Sequence, residues 1–424
     1  MVLRRAALAA LVIALCATGR AIADDGLTLD EAFARALDSH PDLKVFAHAE
    51  SAVAADVDRA ELRPPVVAGV LAENALGTGA ASGFKIAEIT VSLASAIERG
   101  GKRDARLAVA LNRQDALATT RDAKRLDVLA EVARRYLDVV AAQANERIAS
   151  EDIAQRERTV AAADRRVTAG ASSESVRLAA EAQLARAQME RRRAERDQAA
   201  AYRRLVLMWS ERSPGTVLIA GDRLSLPDVP DFDAIAALLE RTPELRRFAD
   251  EGRIREARLQ LARTARAADV EWQIGVRRLQ ETSDWALVGS VSLPLGSAAR
   301  AAPDIRSAEA ELAVLDLERE SSELSLYATL AQAHARLAAS VSDARELDDE
   351  LLPRLRRAEA AAEKAYRAGA LSYLEWAQLQ SETTVARRQQ LADAIDAQRA
   401  LIEIQRLTGA TFVTPSRPDA EHSP

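Results

Sequence analysis

The sequence predicts an α+β chain of long helices and short paired strands, built from one unit used twice. Three observations carry that prediction. Residues 359–409 form an Ala-, Arg-, Gln- and Leu-rich stretch broken by one glycine, Gly369, and a similar stretch at 163–209 is broken by Gly170, about 199 residues earlier. Each half also carries apolar residues in alternation, the period of a strand. Finally, only 4% of the 424 residues are aromatic and 29% are charged, which fits extended helices better than a globular α/β core.

The chain opens on Arg4 and Arg5, an apolar run over 6–17 and an Ala21-Ile22-Ala23 cleavage pattern, so residues 1–23 are expected to be a secretory signal peptide. Its removal takes three arginines and turns the formal charge of −6 into about −9. That acidic balance excludes nucleic acid as a partner. The single cysteine, Cys16, follows Leu15, a poor context for lipid attachment, and is expected to leave with the signal. No later run is long enough for a membrane helix. An exported chain of this kind is periplasmic, secreted, or crosses the outer membrane as strands.

The first repeat is expected over 24–223. Residues 27–62 read as two helices, the first with Thr28 and Glu31 in a capping box and the second opened by Pro41. A strand pair is expected at about 66–94 around a Gly/Ala/Ser turn at 77–83, its first strand alternating poorly. A long hairpin at about 104–209 follows, whose first helix, 104–168, has neither Pro nor Gly. The Pro/Asp-rich 224–231 is the linker. The second repeat, 232–413, recapitulates this order. It holds a helical unit over 232–266, a strand pair at about 270–295 and a hairpin at about 304–409, in which Pro353 should bend or interrupt the first helix. Residues 414–424 are expected to be a disordered tail. Strands of nine to ten residues suit a tilted bilayer crossing.

Arg367-Ala368-Gly369, Leu371-Ser372 and the Ala-Gln pair at 377–378 resemble the hairpin tip of the TolC-like outer-membrane efflux proteins. Ile97-Glu98-Arg99-Gly100-Gly101-Lys102-Arg103, a strand-to-helix turn, resembles the turn of the cobalt-zinc-cadmium branch of that family. The resemblance implies a homotrimer whose 12-stranded β-barrel, four strands per protomer, continues into an α-helical periplasmic tunnel. It implies an outer-membrane location, and partnership with a periplasmic adaptor and an inner-membrane resistance-nodulation-division-type pump. It implies passive exit of substrates, heavy-metal cations first. Drug or general-solute efflux and type I secretion are the alternatives within that class, and a soluble periplasmic coiled-coil rod or adaptor is the alternative outside it. Gly170 and Gly369 become the adaptor-docking tips, the first lacking the aromatic (Val167) and the Ala-Gln pair. Glu375, with Arg177 as a partner that latches it, becomes the candidate periplasmic gate, a ring of three carboxylates with raised pKa.

The same residues have plainer readings. Gly100 and Gly101 permit a turn, with Lys102 and Arg103 facing lipid headgroups; Glu375 is a polar residue of the outer face. His40 and His48 lie eight apart and lack a third ligand, and mature methionine is limited to Met189 and Met208. No metal site, cofactor or catalytic constellation is expected, and no tight binding of the transported metal. Selectivity would then belong to pump and adaptor.

Overall fold

The computed structural model describes residues 26–212 and 225–412. The expected signal peptide with Cys16 and the expected tail with His422 lie outside them. The chain begins with α1 (Leu29–Ser39), whose Thr28 accepts the Glu31 amide while Glu31 reaches back to the Thr28 amide, and α2 (Pro41–Glu61). His40 caps α2 by accepting the Asp42 amide on Nδ1 at 3.2 Å, so it precedes the helix instead of sharing a face of it with His48. Then come β1 (Val67–Glu73), β2 (Glu88–Ile97), α3 (Lys102–Thr168) and α4 (Glu174–Val206).

The second half runs α5 (Phe232–Ala236), α6 (Pro243–Thr264), β3 (Val270–Leu279), β4 (Trp285–Ser292), α7 (Ser297–Glu346), α8 (Leu352–Ala368) and α9 (Tyr373–Thr408). Its helical unit departs from the first: α5 has five residues and a single 3₁₀ turn, Leu239–Arg241, precedes α6. Pro243 opens α6 as Pro41 opens α2. The hairpin helix expected from about 304 begins earlier, at Ser297, so Pro303 lies inside the second turn of α7. It removes one hydrogen bond near the start of a 50-residue helix, a cost the length absorbs. Pro353 does interrupt: a π-type turn, Leu347–Leu351, separates α7 from α8, and the proline sits in the first turn of α8, where its missing N–H costs little.

The 67 residues of α3 extend for about 100 Å. No globular core can wrap such a rod, so α3, α4, α7 and α9 lie side by side, each half with its own seam of apolar residues. Leu27, Val132, Val139, Leu205 and Trp209 pack α1 between α3 and α4; Ile235, Leu239, Leu330, Leu337 and Leu407 do the same for α5, α7 and α9. Ala130, Leu137, Leu391 and Ile395 join the halves along α3 and α9. The linker is strapped down: Gln398 Nε2 donates to the Ser225 carbonyl at 2.6 Å, and His334 Nε2 lies 2.8 Å from the Pro230 carbonyl.

Among the described residues the strands form one antiparallel sheet in the order β1-β2-β3-β4. β2 pairs with β3, so the sheet joins the two halves, and β1 and β4 are left as open edges.

Candidate functional site

Cross-strand partners share a face, and the register separates the sheet into two unlike faces. Val70, Val91, Val276 and Leu287 form one row; Leu93, Ile274 and Gly289 form the next, with Trp272 and Val291 beyond. This face is apolar and open, with Val70, Leu287 and Val291 all more than 70% exposed. The opposite face carries Thr90, Ser92, Gln273, Arg277, Glu88 and Glu73. Gln273 Nε2 donates to Ser92 Oγ at 2.8 Å, and Arg277 donates to Glu88 at 2.6 Å and to Glu73 at 3.1 Å. β1 contributes mostly apolar residues to this second face too, which is why it alternates poorly. Gly275 is required where it stands: a Cβ there would lie 2.7 Å from the Val91 carbonyl oxygen and 2.8 Å from Ser92 Cβ.

Below the sheet, Gly100 and Gly101 both adopt positive φ, +75° and +76°, and turn β2 into α3. Gly296, at φ +80°, makes the same turn from β4 into α7. The two basic residues of the first turn do not project toward headgroups. Lys102 pairs with Asp269 at 2.8 Å and its side chain is 17% exposed; Arg103 Nε donates to the Glu61 carbonyl at 2.8 Å. Asp269 also accepts the Arg99 amide at 3.1 Å. Unpaired carbonyls at the end of α2 and a carboxylate ahead of β3 supply acceptors closer than any lipid. The expectation of lipid contact at Lys102 and Arg103 is thereby corrected: both tie the sheet to the helices.

At the far end, α3 turns into α4 at Gly170 (φ +71°) and α8 into α9 at Gly369 (φ +82°). Ser372 and Glu375 form a capping box for α9, with Glu375 Oε2 accepting the Ser372 amide at 3.0 Å and the hydroxyl at 2.7 Å. Those hydrogen bonds, the hydroxyl first, hold the Glu375 carboxyl below the usual range. Within the protomer the raised pKa expected of a gate carboxylate is absent. The signal was readable, since Ser-x-x-Glu at a helix start is the capping-box spacing. Arg177 bonds Glu174 and Glu181 of its own helix, the latter at 2.8 Å, and does not reach Glu375 within the protomer.

The residue that ties the tips together is Arg166. Its Nη1 donates to the Tyr366 carbonyl at 2.6 Å, Nη2 to the Ala171 carbonyl at 3.2 Å and Nε to Ser172 Oγ at 3.1 Å, with the guanidinium 5.0 Å from the centre of the Tyr366 ring. Tyr366 stacks on Trp376 at 5.1 Å, and both are buried. A cleft of about 660 Å³ lies between the tips, lined by Arg165, Arg166 and Ala169 on one side and Arg367, Ala368 and Gly369 on the other. Further up the seam a buried polar set crosses from α3 to α9. Arg156 bonds Asp152 at 3.2 Å, Gln380 at 3.3 Å and Ser381 at 3.1 Å, and Gln380 Nε2 donates to Thr159 at 2.9 Å. Neither Arg166 nor Arg156 stands out in the sequence, because the partner each reaches in the other half lies 200 or more positions away.

Among the described residues no group of three His, Cys, Asp or Glu side chains is placed to hold a metal ion, and no helix is long and apolar enough to cross a membrane.

Residues 33–211 match the outer membrane efflux protein family. The chain is 28% identical over 315 residues to the cobalt-zinc-cadmium resistance protein CzcC of Cupriavidus metallidurans, covering 74% of this chain and 75% of that one. Its fold is that of solved outer-membrane channels. CusC superposes with a TM-score of 0.76 at 16% identity over 90% of this chain and 92% of that one. The outer-membrane channel OprN superposes with 0.73 at 18% identity over 90% of each.

Proposed function

We propose that this chain, a member of the outer-membrane efflux protein family, is the passive exit duct of a tripartite efflux system whose cargo is heavy-metal cations. The observation that carries the reading is the sheet: one apolar, exposed face, one polar face and two unpaired edges, set on helices far too long for a globule. Unpaired strand edges cannot face hydrocarbon, so β1 and β4 must pair with other copies. Three protomers of four strands close a 12-stranded barrel, with the apolar face toward lipid and the polar face toward the lumen. The helices continue it as a periplasmic tunnel.

In this reading the repeats at 24–223 and 232–413 descend from one duplicated unit. The tips at Gly170 and Gly369 receive the hairpin of a periplasmic adaptor, which couples the duct to an inner-membrane pump of the resistance-nodulation-division type. Glu375 lines the closed end as a ring of three carboxylates, or pairs with Arg177 to latch it. Heavy metal as cargo rests on the likeness to CzcC. The chain has no catalytic role; the pump supplies the driving force, and no cofactor is needed.

Fractionation and a resistance assay test this together. The protein should appear in the outer membrane as heat-modifiable trimers, and its deletion should sensitise cells to cobalt, zinc and cadmium. Soluble monomers would sink the duct. Sensitivity to dyes and detergents in place of metals would keep the duct and change the cargo.

A further inference from the structure

We propose that Arg277 is a built-in counter-ion that keeps the duct's interior from chelating the divalent cations it passes. Glu73 and Glu88 are direct cross-strand partners of β1 and β2, so both carboxylates project from the polar face at close spacing. Like charges so placed repel. Left to themselves they form an oxygen pair of the kind divalent cations bind.

Arg277 reaches across from β3 and fills that position. Its Nη1 donates to Glu88 Oε2 at 2.6 Å, Nη2 to Glu73 Oε2 at 3.1 Å and Nε to Thr90 Oγ1 at 3.0 Å, so all three guanidinium nitrogens are engaged. The Asn74 amide occupies the other Glu88 oxygen at 3.2 Å. None of the charged groups is sealed off: the side chains of Arg277, Glu88 and Glu73 are 28%, 23% and 43% exposed.

Two carboxylates and one guanidinium leave each copy one negative charge here, which draws cations toward the face. No carboxylate pair is free to hold one. A pore must bind its ions well enough to admit them and weakly enough to release them, and Arg277 sets that balance for a doubly charged cargo. A purely structural bond between strands needs no opposed carboxylates; a neutral amide pair costs less.

The inference rests on the closed-barrel reading, in which this face lines the lumen. The test uses the purified full-length protein in planar bilayers, with cadmium and zinc chloride as probes. Arg277→Gln should be blocked by cadmium at concentrations at least about tenfold below those that affect the wild type. Arg277→Gln combined with Glu73→Gln should lose that sensitivity, and Arg277→Lys should behave as wild type. Should Arg277→Gln not assemble, Glu73→Gln keeps the bond between Arg277 and Glu88 and must lower the preference for potassium over chloride. An assembled Arg277→Gln channel with wild-type cadmium sensitivity overturns the proposal, as does an unchanged reversal potential in Glu73→Gln. A wild-type protein that forms no trimer sinks the duct itself, and the counter-ion with it.

Discussion

The two halves share an order of elements but not a set of neighbours. α6 lies between α3 and α7 and buries Leu245, Ile254, Ala257 and Leu259 there. Its counterpart α2 packs chiefly on α3, with Leu43 against the apolar cluster of the first half, and none of its residues is fully buried. What holds α2 is charge: Asp42 to Lys124 at 2.7 Å, Glu50 to Arg121 at 3.0 Å, and the Arg103 bond to its last carbonyl. The sheet, by contrast, treats the halves alike: β2 and β3, one from each half, are paired on both sides and β1 and β4 on one. So does the helical wall, where α3 and α9 meet within the chain while α4 and α7 stand at its margins. In the closed-barrel reading a second copy completes the first half, and the α7 of a neighbour gives α2 what α6 finds within its own chain. Leu317 and Leu324, each about two-thirds exposed on α7, are apolar residues that margin offers to α2 in that reading.

The sharpest way to break this comparison is to charge that margin. Leu317→Arg with Leu324→Arg should abolish the heat-modifiable trimer and leave the helical circular dichroism of the protomer intact. Trimers at wild-type yield would show that α7 is not the missing neighbour. The seam already present between the halves should fail differently. Arg156→Met strips a buried guanidinium from Asp152 and Gln380 and should cost about 3 kcal/mol, read as a lower Tm, without changing assembly.

The two tips sharpen the contrast again. A side chain at Gly170 meets no atom within 4 Å, whereas one at Gly369 meets the Arg166 guanidinium at 3.4 Å. Both positions are at positive φ, so either valine costs about 2 kcal/mol of local strain. The valine methyls at Gly369 also crowd the Arg166 guanidinium that ties the tips. It should abolish metal resistance with trimer and barrel intact, and Gly170→Val should reduce resistance less. Equal losses would mean that Arg166 is not what distinguishes them.

The smallest effect concerns α2 itself. The Lys124 ammonium, by its hydrogen bond, holds the Asp42 carboxyl below the usual carboxylate range. The stabilisation from Asp42 is thus complete above about pH 4 and disappears as pH falls through its lowered value. Lys124, raised by the same bond, loses its share only at the alkaline end, as pH rises through its folded value. Both groups are partly exposed, so the pair contributes under about 1 kcal/mol. Hydrogen exchange on protomers carrying the Leu317→Arg and Leu324→Arg changes should show α2 amides opening faster in acid and in high salt, with α6 unaffected. Equal protection of both helices would remove the distinction.

The sequence alone determined the parts with local causes. Alternation predicted the strand pairs, most clearly in the second half, glycine predicted the turns, and the cap at Thr28 and the proline at 41 marked where helices begin, because each depends on residues within one or two turns of chain. The capping box of Glu375 was a local matter too, three residues from its hydroxyl partner. Tertiary structure decided everything that depends on distant pairs. Lys102 turned from lipid to Asp269, Arg166 joined the tips, Arg156 crossed the seam and Arg277 bridged two opposed carboxylates. An arginine on a helix or strand has the same local signature whether it faces water or a partner 200 residues away. Its long side chain follows whichever acceptor the fold brings within reach, and only packing the two halves together reveals which acceptor that is.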